Sequence, residues 1–90
     1  MKLKLHHVPN PDIPGGYYEP PIDPQEMIVT VDVISDASRE YRQWIERNGF
    51  GGGNMGELSG SVYADGARQP FACVSYNGNI WSKESNHDRK

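Results

Sequence analysis

The run Gly51-Gly52-Gly53-Asn54-Met55-Gly56 satisfies G-x-G-x-x-G letter for letter, a pattern whose glycines let a backbone close on a pyrophosphate at a helix N-terminus. The order of elements is wrong for that chemistry. A dinucleotide site needs the run after a strand and before a helix, whereas here a helical pattern precedes it and a strand pattern follows. It reads as a helix-to-strand connection, with Phe50 tucked into the core as its anchor. His6, His7, His87 and Cys73 are the nitrogen and sulfur groups able to hold a metal, but they lack the paired ligands at local spacing on a rigid element that such a site requires. Cys73 reads instead as a small buried hydrophobe. Nucleophilic catalysis needs a nucleophile, a base and an orienting group in one concavity, and no histidine falls inside the predicted core. Asp32, the one acid within a strongly apolar strand pattern, is expected to pair with an arginine across the sheet. The expectation is a protein that is not an enzyme, with no catalytic residue, no metal and no cofactor.

Whatever positions these residues must do so in a chain of 90, enough for one domain with a small core. Hydrophobic residues make up 36%, charged residues 23%, and the net charge is −3, which offers no general basic field for phosphates. A lone cysteine rules out an intramolecular disulfide framework. Met1-Lys2-Leu3-Lys4-Leu5 lacks the apolar run of a secretory signal, and no segment approaches the roughly 20 apolar residues of a membrane span. The expected compartment is the cytoplasm.

The same N-terminal segment alternates with period two, as an edge strand would. Residues 1–26 otherwise form an acidic arm in which Pro9, Pro11, Pro14, Pro20, Pro21 and Pro24 remove backbone donors and fix φ, so neither helix nor central strand runs through it. Met27 to Ile34 is β-branched and alternating, a strand with one wholly apolar face. Ser35 or Asp36 then caps a helix over 36–48. Its Ala37, Tyr41, Trp44 and Ile45 share one face, Arg42 and Glu46 turn to solvent, and Asn48-Gly49 is the left-handed stop. Asp65-Gly66 and Asn77-Gly78 read as two-residue hairpin turns joining strands 57–64, 71–76 and 79–82. The core domain spans 27–83, and the polar segment 84–90 is expected to be a disordered tail. The fold class is α+β: one helix packed on a three- to four-stranded antiparallel sheet, with a proline-rich N-terminal arm.

Two-residue turns set Val74 opposite Trp81 and Leu58 opposite Cys73, which gathers Leu58, Val62, Phe71, Cys73 and Ile80 beneath the helix. The other face then carries Tyr63, Arg68, Val74, Tyr76 and Trp81. Tyrosine, tryptophan and arginine carry interface hot spots, so that face reads either as a recognition surface or as ground covered by Tyr17, Tyr18 and Ile22 of the arm. Between Lys4 and Arg39 there is no lysine or arginine, while Asp12, Glu19, Asp23, Glu26, Asp32 and Asp36 all lie there. An acidic band of this kind steers a protein onto a basic partner.

The stretch Cys73-Val74-Ser75-Tyr76-Asn77-Gly78-Asn79-Ile80-Trp81 resembles a closing Ser-Tyr-Asn-Gly-x-x-Trp hairpin that follows a helix and a glycine-rich connection in small, largely uncharacterised proteins of bacteria and their phages. The resemblance covers Ser38 to Trp81 and carries no catalytic pattern. In architecture the chain also resembles phage anti-CRISPR proteins, which inhibit by binding an effector subunit; this implies a mobile-element inhibitor and transfers no residue. The leading expectation is a non-enzymatic protein-binding module that blocks a host nucleoprotein effector, its partner a basic nucleic-acid-binding subunit. Tyr63, Arg68, Tyr76 and Trp81 would form its partner surface, with Asp12, Glu19 and Asp23 at the rim. That reading expects no direct contact with nucleic acid and none with membrane. The alternatives are an accessory protein stacking nucleic-acid bases on Tyr63, Tyr76 and Trp81, and a structural subunit that forms a homodimer through an edge strand.

Overall fold

A computed structural model of the protein describes residues 1–82, and the segment 84–90 expected to form a tail lies outside the described residues. The elements are β1 (Lys2–His6), β2 (Glu26–Thr30), α1 (Ile34–Asn48), a 3-10 turn at Gly52–Asn54, β3 (Ser61–Tyr63), β4 (Ala72–Val74) and β5 (Ile80–Ser82). The strands form one five-stranded sheet in the order β2-β1-β3-β4-β5, every neighbouring pair antiparallel. One helix lies on one face of it, which is the expected α+β class with a larger sheet.

In β1 the alternation holds, and Leu3 and Leu5 enter the core. The strand is not an edge, because Leu3 pairs with Val29 on one side and Val62 on the other. Alternation reports which face of a strand is wet, not how many neighbours it has.

The β2 ladder ends at Thr30, and Val31 closes it by bonding to Met1. Asp32 and Val33 then lie exposed in the turn to α1. Asp32 makes no ion pair among the described residues, contrary to the expected cross-sheet pair. The helix starts at Ile34 with Val33 at its N-cap and no side-chain cap, so neither Ser35 nor Asp36 caps it. Asp36 instead sits in the first turn, where a negative charge suits the helix dipole, and pairs with Arg39 at 2.7 Å. Ala37, Tyr41, Trp44 and Ile45 are buried as their spacing predicts, and Gly49 stops the helix at φ 68°. Glu46 is exposed, but Arg42 is not simply solvated. Its guanidinium donates to the Tyr76 carbonyl at 2.7 Å and lies 5.3 Å from the centre of the Tyr76 ring.

Both hairpins depart from the two-residue turns expected of them. At Asn77-Gly78 the Ser75 N–H donates to Asn79 O at 2.8 Å and Gly78, at φ 92°, donates to Ser75 O at 2.8 Å. This is the three-residue loop in which a left-handed glycine makes a bulge. Val74 therefore opposes Ile80 and Cys73 opposes Trp81. In the first hairpin Ser61 opposes Cys73, because Pro70 has no N–H to extend the ladder and the loop lengthens.

An odd register shift turns each side chain to the other face. Val62, Ala72 and Val74 are core residues, whereas Cys73 is half-buried on the far face. Leu58, at φ 65°, and Ile80 are exposed, and Phe71 is half-buried. Phe50 does anchor the glycine-rich connection, its ring 4.9 Å from that of Trp44.

The arm does not cross the helix-free face. It folds back on the C-terminal end of α1, where Tyr17 meets the His7 and Phe50 rings and Tyr18 and Ile22 stay exposed. This also corrects the expectation of a core without histidine. His7 continues β1 on the inner face and is buried.

Candidate functional site

Strand side chains alternate, so the residues that send Leu3, Leu5, Val62 and Val74 toward the helix send Lys2, Lys4, Ile28, Tyr63, Cys73 and Trp81 to the other face. Among the described residues no helix or strand lies over it. Ile28 is 61% exposed and Trp81 60% exposed. Beside Ile28 runs a groove of about 360 Å³ lined by Lys2, Lys4, Ile28, Tyr63 and the turn residues Ala64, Gly66 and Ala67; Trp81, on β5 at the opposite edge of the sheet, is not part of its lining. The lysines are tethered rather than free. Lys4 Nζ lies 3.3 Å from the Glu26 carboxylate, and Lys2 Nζ donates to Thr30 Oγ1 at 3.5 Å. Such a surface offers apolar anchors on a rigid floor with cations at one side.

Of the residues singled out from sequence, Tyr63 and Trp81 share this face, and Arg68 is exposed in the β3–β4 loop. Tyr76 is on the helix side, its hydroxyl donating to the Phe50 carbonyl at 3.0 Å. Asp12 and Glu19 are exposed on the arm. Asp23 is bound to Arg47, Nη2 to Oδ2 at 2.8 Å. The expected set is thus divided between the two sides of the molecule.

The arm is fastened by three buried polar side chains that sequence reading passed over. His7 Nδ1 is 2.8 Å from the Tyr17 hydroxyl and Nε2 is 3.1 Å from the Asp23 carbonyl. A carbonyl only accepts, so Nε2 carries a proton, and Nδ1 makes the second hydrogen bond with the Tyr17 hydroxyl. Burial raises the Tyr17 phenol above its ordinary pKa. Asn48 accepts the Ile22 and Asp23 backbone N–H groups at 2.7 and 3.1 Å, and donates to Trp44 O and Asp23 Oδ2, each at 2.8 Å. The Asn48 amide, then Arg47, hold the Asp23 carboxyl below the usual carboxylate range against the opposing effect of burial. Asn54 donates to Val8 O and Gly16 O at 2.9 and 2.7 Å and accepts the Gly51 N–H at 3.0 Å. One signal for Asn48 was available: it lies four residues after Trp44, on the apolar face. Nothing local marks Asn54.

Beneath the sheet, burial raises the Tyr41 phenol, whose hydroxyl is 3.0 Å from Met55 Sδ and 3.1 Å from Ser59 Oγ. Among the described residues no three His, Cys, Asp or Glu side chains gather as a metal would require. No helix among them is long and apolar enough to cross a membrane.

A helix on one face of the sheet, and no described element over the other, define an open-faced α+β sandwich. No family model, curated protein or solved structure matches this chain.

Proposed function

We propose that the protein is a non-enzymatic protein-binding module whose partner docks on the helix-free face around Ile28, Tyr63 and Trp81. One observation carries this reading: two large apolar side chains, Ile28 and Trp81, stand mostly in solvent on a sheet whose other face is occupied by the helix. Large apolar side chains standing in solvent at both edges of an uncovered sheet face, with Tyr63 between them, give a partner anchors across that face, and tryptophan and tyrosine are the residues that anchor interfaces. The narrower role, inhibition of a nucleic-acid-binding effector, draws support from Asp12 and Glu19, which leave the arm exposed and negative. Asp23 adds little to that field, since Arg47 neutralises it.

A second reading, base stacking on Tyr63, is favoured by the two lysines beside it. The test is capture from host lysate by the full chain, with nuclease treatment in parallel. A protein partner retained after nuclease, and weakened by about 2 kcal/mol or more in Trp81→Ala with the melting temperature unchanged, is the expected result. Oligonucleotide binding that falls steeply with salt and disappears in Tyr63→Ala would move the assignment to the second reading. Undiminished binding by Trp81→Ala would remove this face from consideration.

A further inference from the structure

Among the described residues no strand lies on the outer side of β2. Its hydrogen-bonding parity follows from the end of the ladder, where Met1 N–H donates to Val31 O at 3.0 Å and Val31 N–H donates to Met1 O at 2.9 Å. In an antiparallel ladder such exchanging pairs alternate with pairs that exchange none. Met27 and Val29 therefore bond to β1, while the N–H and C=O groups of Glu26, Ile28 and Thr30 point off the edge, without partners among the described residues. Edges are ordinarily blunted by lysine, proline or a bulge. Glu26-Met27-Ile28-Val29-Thr30 has none of these, and its central residue is an exposed isoleucine.

We propose that β2 pairs antiparallel with β2 of a second copy about a two-fold axis at Ile28, joining the two sheets into one. The outward-pointing groups are centred on Ile28, so the axis sets Ile28 against itself and Glu26 against Thr30 of the other copy. Every outward N–H then meets an outward C=O. Flanking residues oppose without like charges, Gln25 to Val31 and Pro24 to Asp32. On the helix side the half-buried Met27 and Val29 cover each other. Charge complementarity also favours a second copy over a foreign strand. Lys2 Nζ lies 3.5 Å from its own Thr30 Oγ1 and has no carboxylate partner among the described residues, so Glu26 of the second copy, opposite that Thr30, arrives beside it.

The test is sedimentation of the purified full chain from about 1 to 200 μM, the range over which a weak contact of this kind populates. The parent is expected to double in mass across the range, and Trp81→Ala to double likewise, which separates this interface from the partner face. Ile28→Lys, which brings two ammonium groups to the axis at an exposed position, is expected to remain monomeric with an unchanged circular dichroism spectrum. Crosslinking decides the register, and decides the question if Ile28→Lys does not fold. In a Cys73→Ser background Ile28→Cys should form an intermolecular disulfide on oxidation, because opposed Cα atoms of a bonded pair are about 5.5 Å apart. Thr30→Cys should not, since the two copies of that residue are separated by about 13 Å along the strands. A monomer at the highest concentration overturns the proposal, as does a dimer that persists in Ile28→Lys or crosslinks equally through Thr30→Cys. Protection of the Glu26, Ile28 and Thr30 amides from exchange only when a partner protein is added would give the edge to a foreign strand instead.

Discussion

Asn48 and Asp23 are bonded in both directions: the Asn48 amide donates to the Asp23 carboxylate at 2.8 Å, and Asn48 Oδ1 accepts the Asp23 backbone N–H at 3.1 Å. The last residue of the helix thereby holds the arm. Asn48→Leu keeps the branched shape of the side chain but orphans the Ile22 and Asp23 N–H groups, and should cost about 2 to 3 kcal/mol in urea unfolding. A cost under about 1 kcal/mol would show that the arm is held elsewhere.

Asp23 also sets an acid limb. Its folded pKa is depressed, so the unfolded state binds more protons, and the stabilisation is present above the unfolded value and lost as pH falls through the folded one. Thermal melting from pH 7 downward should therefore decline below about pH 4. Asp23→Asn should lower stability at neutral pH and flatten that decline. An acid limb of unchanged slope in the variant would assign it to other carboxylates.

Trp44 lies among the rings of Tyr41, His7 and Phe50, at centroid distances of 5.6, 6.1 and 4.9 Å. Trp44→Ala should cost about 3–5 kcal/mol, a large fraction of the stability of a domain this size. Its indole N–H has no hydrogen-bond partner among the described residues, so Trp44→Phe loses no bond there and should cost clearly less. Equal costs would mean that the indole N–H is satisfied.

Two glycines separate turn chemistry from empty space. Gly60 has φ +84° and a Cβ there would meet the Val74 carbonyl oxygen, whereas around Gly52 nothing lies within 4 Å. Gly60→Ala should lose about 1–3 kcal/mol, and Gly52→Ser should melt as the parent does. The Gly51–Gly56 run follows the carbonyl-rich C-terminal end of α1, so ATP and NAD should leave the melting temperature where it is. A rise with either would restore a phosphate cradle.

The sequence by itself determined whatever depends on neighbours a few residues apart. Ala37, Tyr41, Trp44 and Ile45 fall on one stripe because a helix repeats every 3.6 residues. Gly49 ends that helix because it tolerates the left-handed region, and the prolines keep the arm out of both helix and strand. Register and burial of the arm were decided by tertiary structure. Whether Asn77-Gly78 closes as a two- or three-residue loop changes the pairing by a single position, and the period of two in a strand turns that position into a change of face for Val74 and Cys73. For β1, interior placement came from partners 20 or more residues away, Leu3 meeting Val29 on one side and Val62 on the other only when the chain closes. His7 and Asn54 carry no local signature, and the spacing that marks Asn48 does not name its partners, because a polar side chain becomes a clasp only when distant backbone groups arrive to satisfy it in a place that water has left.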